Sequence, residues 1–306
     1  MRDRGFRIGL AAVVALVLLR LSVGWHFFYQ GICKAREPSF SSAAFLRQAK
    51  GPLAEKFYEL IPDYEGRERL SDKTMAARWK AYVERWTEYY AANQQQQAAA
   101  DARLKGRIRQ LKEFLAENDG AIEKYLNDLD RLHEELKEKP VGDTAFQRQR
   151  MWELRKRLTA QAAPWLAEVD RLSKSLEDDL WQLLDDDQQA RGRLPINASS
   201  LDRINATVLW SNLIIGGCLI VGLFTRLAAA GGAAFMLSIV ISQPELPWIY
   251  PPAPLSSGHA FLVNKDFIEM IALVTLATVP VGRWGGLDFF IHYLFRRKRS
   301  GGREAQ

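Results

Sequence analysis

Long apolar stretches at both ends of the chain enclose a block too densely charged to share their surroundings. Residues 32–205 hold 30 Lys and Arg against 30 Asp and Glu, so the block is neutral overall. The flanks hold the other 12 basic and 6 acidic residues, and therefore the whole net charge of +6. The chain-wide averages, 48% hydrophobic residues and a mean hydropathy of -0.19, describe neither part. Such a chain puts its ends in lipid and its middle in water, because unpaired charge is costly in hydrocarbon. The segregation also disposes of the usual reading of a pI near 9.3. The charged block has no net positive field, so nucleic acid is not expected as a partner.

The first apolar run covers 8–32 and is interrupted by Arg20 and His26. It exceeds the ~20 residues needed to cross ~30 Å of hydrocarbon. Arg2, Arg4 and Arg7 precede it as in a signal peptide. However, the apolar character resumes after Arg20 and no A-x-A-like site follows, so the run reads as a retained anchor. Further runs cover 206–224, 227–242 and, shorter, 267–281. Pro244, Pro247, Pro251, Pro252 and Pro254 break the chain before the last of them. Residues 287–295 read as an aromatic helix along the interface, ahead of a basic RRKR cluster at 296–299. Four crossings bring Arg2, Arg4, Arg7, Arg226, Arg283 and this cluster to one face, which the positive-inside rule makes cytoplasmic. The expectation is a multi-pass protein of a bacterial-type inner (cytoplasmic) membrane. Both termini are cytoplasmic and residues 35–203 extracytoplasmic.

Within 40–60, Phe40, Phe45, Leu53, Phe57 and Leu60 mark a short amphipathic helix beside the membrane. From Trp79 to Leu136, apolar residues recur at alternating steps of four and three, with polar exceptions only at Asn93, Gln97 and Asn118. This spacing predicts one long coiled-coil helix, kinked at 118–120, with the Gln94 to Gln97 tract inside it. Lys139-Pro140-Val141-Gly142 stops it, and Asp143 or Thr144 caps a return helix over 144–190 that Pro164 should bend. The expected architecture is all-α: a four-helix transmembrane bundle with a long antiparallel coiled-coil hairpin inserted between the first and second membrane helices. Its parts are a first transmembrane helix (1–34), a juxtamembrane helical linker (35–71) and an extracytoplasmic hairpin (72–192). Transmembrane helices two to four with the interfacial helix (203–295) and a basic cytoplasmic tail (296–306) complete it.

The membrane portions carry an ordered set of short motifs. The first is Arg20-x3-Gly24-x2-Phe27-x3-Gly31-x2-Lys34. GGCLIVGLFTRLAAAGGAAFML follows from Gly216 to Leu237, then NKDFIEMIAL from Asn264 to Leu273, and GGLD from Gly285 to Asp288. In this order they resemble the DoxX family, which includes the DoxD subunit of thiosulfate:quinone oxidoreductase. The resemblance covers about 130 of the 306 residues. It implies a four-helix membrane bundle associated with quinone or with a membrane redox complex. Quinone is thus the one cofactor to consider. The implied partners, beyond the lipid bilayer, are a redox-complex subunit or an extracytoplasmic protein. Two features depart from the family. The connection after the first membrane helix is far longer here, and Ser211 and Asn212 stand where many members carry an acid.

Arg20 and Glu269 fall inside predicted crossings, where an ionisable group calls for a partner, and the two are expected to pair. His26, with Trp25, and His259 in the Pro-rich loop form a candidate quinone headgroup site, since imidazole exchanges protons near neutral pH. For Trp25, Phe28, Trp248 and Tyr250 interfacial anchoring is the preferred reading, since aromatic residues are enriched at membrane interfaces. Gly216, Gly217, Gly222 and Gly231 read as helix-packing positions. His26, His133, His259 and His292 are scattered and no cysteine cluster exists, so no metal site is expected. Cys33 and Cys218 lie at different depths and should not meet. With no Ser-His-Asp grouping and no phosphate-binding glycine loop, no catalytic residue is assigned. Two functions remain. One is an accessory or quinone-interacting subunit of a membrane redox complex with an extracytoplasmic docking arm. The other is a non-enzymatic membrane scaffold whose coiled coil binds a partner protein.

Overall fold

A computed structural model describes residues 9–38, 40–138, 144–195, 199–246, 248–250 and 263–301. Among the described residues the α-helices are, in order, α1 (Leu10–Arg36), α2 (Ala43–Leu46), α3 (Ala54–Tyr58), α4 (Asp72–Tyr90), α5 (Gln94–Glu117), α6 (Asp119–Glu138), α7 (Ala145–Trp181), α8 (Asp186–Gln189), α9 (Ser200–Val221), α10 (Thr225–Ser242), α11 (Lys265–Thr278) and α12 (Asp288–Gly301). No β-strand forms among the described residues. The chain divides into two compact units: Met1–Ile61 with Ser199–Gln306, and Pro62–Ala198.

In the first unit α1, α9, α10 and α11 pack around Val23, Phe27, Leu219, Met236 and Leu273. Among the described residues, only α1, α9 and α10 are long and apolar enough to cross a membrane. At 14 residues, α11 is about 21 Å long, below the usual ~20-residue span. Many large apolar side chains of these helices face outward, including Leu10, Leu18, Ile214, Leu227 and Ile268. A water-facing surface would not sustain so much contiguous apolar area. The close approach of α1 to α9 follows from glycine. A Cβ on Gly216 would stand 2.3 Å from the Phe28 backbone nitrogen. One on Gly24 would stand 2.9 Å from Leu219 Cβ. With Gly24 beside Gly216 and Leu219, and Gly31 beside Leu213, the two helices run antiparallel.

The amphipathic stretch at 40–60 is two short helices rather than one. Gly51, with φ +83, separates them, and Pro52 follows it. Hydrogen bonds hold this segment over the ends of α9 and α10. Ser42 N donates to Asn205 Oδ1 at 2.7 Å, and Lys50 N donates to Ser242 O at 2.9 Å.

In the second unit the predicted single helix from Trp79 to Leu136 breaks into three. Ala91, with a left-handed φ of +50, ends α4. Asn93 then caps α5, reciprocally with Gln96, so the glutamine tract opens a helix instead of continuing one. The chain reverses there, as Lys112 at 3.9 Å from Asp72 records. The heptad pattern survived this turn because α4 and α5 bury the same stripe, Trp79, Val83, Trp86, Leu104 and Leu111, against Val169, Leu172 and Leu176 of α7. At Asn118 the expected kink is present: α5 and α6 both pack along α7, which caps at Thr144 and contains Pro164. Arg107–Asp179, at 2.6 Å, and the Tyr125–Trp165 ring pair show the antiparallel register. The return helix ends at Trp181, with the short α8 following.

Candidate functional site

The structure does not bring Arg20 and Glu269 together. Glu269, on α11, takes His26 of α1 as its partner, with Oε1 2.7 Å from Nδ1. Its side chain is only 11% exposed, against 42% for His26. The expected pairing fails on depth. Arg20 lies almost two turns before His26, so it faces the α9–α10 turn, while Glu269 is one turn into α11 from the other end.

The His26–Glu269 pair lines a cavity of about 520 Å³. Phe27, Phe235, Met236 and Ile239 form its apolar walls, and Phe40, Phe45, Phe57 and Leu60 reach it from the α2–α3 segment. Those phenylalanines are the face of the amphipathic stretch read from sequence, so the segment's apolar side forms a roof. Charge enters near the roof: Lys34, Lys265 and Asp266 line the same space. Lys34 Nζ lies 5.9 Å from the Phe40 ring centroid. Asn212 and Ser42 are the buried polar residues in the lining. Asn212 donates from Nδ2 to Val208 O at 2.7 Å. Ser42 Oγ, by contrast, has no hydrogen-bond partner among the described residues.

Trp25 lies outside this lining, 58% exposed and stacked on Tyr29 at 6.1 Å. It sits at the bundle surface. His259 lies outside the described residues. Among them, no group of three or more His, Cys, Asp or Glu could hold a metal ion, and Cys33 and Cys218 are both free.

Arg20 belongs to a second polar cluster, six residues before His26 on α1 and beside the α9–α10 turn. It is 1% exposed, and its Nη2 donates to Gly285 O at 3.2 Å. Gly222, with φ +67, ends α9 and leaves room for the guanidinium, since a Cβ there would stand 2.4 Å from Nη1. Asp288 supplies the opposing charge. Its Oδ1 accepts from Phe224 N at 2.7 Å and its Oδ2 from Thr225 N at 3.0 Å. The carboxylate thus caps the N-terminus of α10, where the helix dipole also favours it. Asp288 was visible in sequence as the end of GGLD, but nothing in that motif indicated which helix end it would serve.

The glycine positions divide. Gly216 and Gly222 are required by close approach, whereas a Cβ at Gly231 meets nothing within 4 Å and one at Gly217 only the Phe28 ring edge at 3.9 Å. Gly232, beside Leu273, is the packing glycine of α10. No family model matches this chain, and neither a curated protein nor a solved structure is similar to it.

Proposed function

We propose that this is a four-crossing membrane protein of DoxX type whose roofed cavity holds a quinone-type headgroup, acting as an accessory subunit of a membrane redox complex. The observation that carries the reading is the His26–Glu269 hydrogen bond inside a cavity of about 520 Å³ with mostly apolar walls. Small-molecule sites commonly occupy 300–1,000 Å³, with a few convergent polar groups to fix orientation. A ring with an apolar tail and hydrogen-bonding oxygens matches phenylalanine walls and one imidazole. The carboxylate fixes the ring's orientation, which a proton-exchanging group needs.

On this reading α11 is the fourth crossing, shortened because the roof segment fills the space above its start. The arginine distribution supports a topology with the Arg20 cluster toward the cytoplasm and the roof toward the outside. The chain leaves and re-enters the membrane unit at the roofed end, so residues 62–198 are extracytoplasmic and serve as a docking arm for the redox partner. The test is to purify the full chain in mild detergent, extract its lipids and titrate it with a short-chain benzoquinone. Saturable binding that His26→Ala abolishes is expected. A folded protein that neither retains nor binds quinone would overturn the proposal.

A further inference from the structure

Independently of what the cavity holds, we propose that α12 is a docking face for acidic phospholipid, seated on the leaflet at the Arg20 end of the bundle. Its periodicity separates two sides. Asp288, Ile291 and His292, spaced i, i+3 and i+4, are half-buried. Leu287, Phe289, Phe290, Tyr293 and Leu294 are exposed, the last four between 54% and 62%. The helix thus turns its aromatic side outward, with the Phe289 and Phe290 rings edge to face at 5.6 Å. Contiguous apolar surface of this kind marks a contact with lipid or with another protein.

Two observations favour lipid. The first is continuity. Leu287 N donates to Val221 O at 3.0 Å and Asp288 N to Gly222 O at 2.8 Å, so the start of α12 is fastened to the end of α9. Val221 and Phe224 are exposed as well, at the turn between two helices long and apolar enough to cross a membrane. The outward side of α12 therefore extends a surface already suited to hydrocarbon, with the aromatic composition of a membrane interface. The second is charge. The sequence places Arg296, Arg297, Lys298 and Arg299 in the closing turns of α12. From Phe289 to Gln306 there are five basic residues against one acid. Asp288, the acid that opens the helix, is committed to the α10 cap. An apolar groove on a protein would accept the aromatic side and leave this charge unanswered. Acidic headgroups above hydrocarbon answer both, and apolar burial with a basic cluster supplies the two signals that stable anchoring takes.

The experiment measures amide hydrogen exchange of the full-length protein in nanodiscs of phosphatidylcholine alone and of phosphatidylcholine mixed with phosphatidylglycerol. Exchange in α12 should be about 10-fold slower in the acidic discs, with α1 and α9 unchanged as the control for folding. Molar salt should shrink the difference to about 3-fold or less, because it screens charge beyond about 3 Å. R296Q, R297Q, K298Q and R299Q combined should remove the difference while leaving exchange in the neutral discs as it was. Phe290→Ser should speed exchange of α12 in both kinds of disc, since it removes apolar contact that does not depend on headgroup charge. Equal exchange of α12 in the two compositions overturns the proposal. So does a difference that survives both salt and removal of the four charges. Fast exchange in both discs that slows only when a soluble protein is added also overturns it, and assigns the face to a protein partner. The wild-type comparison needs no variant, so a substitution that disturbs folding does not remove the test.

Discussion

His26 Nδ1 stands 2.7 Å from Glu269 Oε1, and that bond joins α1 to α11 across the most sparsely packed seam of the four helices. The α1–α9 seam holds together through close glycine contacts and an apolar core; here a side-chain hydrogen bond links the helices. A double-mutant cycle with His26→Ala and Glu269→Ala, read by thermal unfolding in detergent, should give a coupling of about 1–2 kcal/mol. Additive effects would show that the bond contributes nothing to holding the seam.

The α1–α9 interface should distinguish the glycines. Gly216→Ala pushes a methyl into the Phe28 backbone, and overpacking of this kind costs about 1–3 kcal/mol. Gly231→Ala meets open space and should be neutral or stabilise α10 by up to about 1 kcal/mol. Unfolding midpoints of the two variants, measured side by side, check the contrast.

Arg20 is buried and feels the charge of the half-buried Asp288, and each also serves backbone groups. Asp288→Asn should destabilise by about 1–2 kcal/mol, because it removes the charged cap on α10 and the nearby counter-charge to Arg20. Combining it with Arg20→Met should recover part of the loss. Expression level and unfolding midpoint of the three variants provide the measurement. A double variant as unstable as the sum of both single losses would mean that the charges do not interact.

In the arm, the reversal between α4 and α5 depends on two residues. Asn93→Ala removes the cap on α5 and should cost about 1 kcal/mol. Ala91→Gly relieves a left-handed backbone and should stabilise by about 1 kcal/mol. Hydrogen exchange of α4 and α5 amides reports both: protection should fall in the first variant and rise in the second.

Glu177 gives the arm a pH dependence. Burial, and then the neighbouring Asp178, raise its carboxyl pKa above the ordinary value, with Arg193, Arg78 and Lys174 opposing. The folded arm therefore holds this proton more tightly than the unfolded chain does. Its contribution falls as pH rises from the ordinary carboxylate range through the raised folded pKa. Glu177→Gln should stabilise the arm at neutral pH, and the gain should shrink on acidification. A gain in stability that does not change with pH would rule out this origin.

Much of this architecture could be read from one-dimensional patterns. Apolar runs mark lipid-compatible helices because a crossing is set by length and polarity alone, and the runs at 206–224 and 227–242 became α9 and α10 within a few residues. Pattern failed where two elements shared one environment. The heptad stripe from Trp79 to Leu136 continues through a chain reversal because α4 and α5 bury the same side against α7. Periodicity records which side of a helix is buried, and not whether the helix continues. Only Ala91 and Asn93 mark the turn.

The chemistry of the site was legible as residue types. Arg20, His26 and Glu269 stood out because charge and imidazole are costly among apolar neighbours, and that much the sequence by itself determined. Which of them meet was decided by tertiary structure, through relative depth. Gly216 draws α1 against α9 in a register that places Arg20 at the Gly222 turn, beside Gly285 and Asp288. That register sets His26 at the level of Glu269. The roof is a tertiary product too: Phe40, Phe45 and Phe57 show only an amphipathic segment until Asn205 and Ser242 hold its backbone over the helix ends. A sequence sets the cost of burying each group, and the packing of backbones then chooses the partner that offsets it.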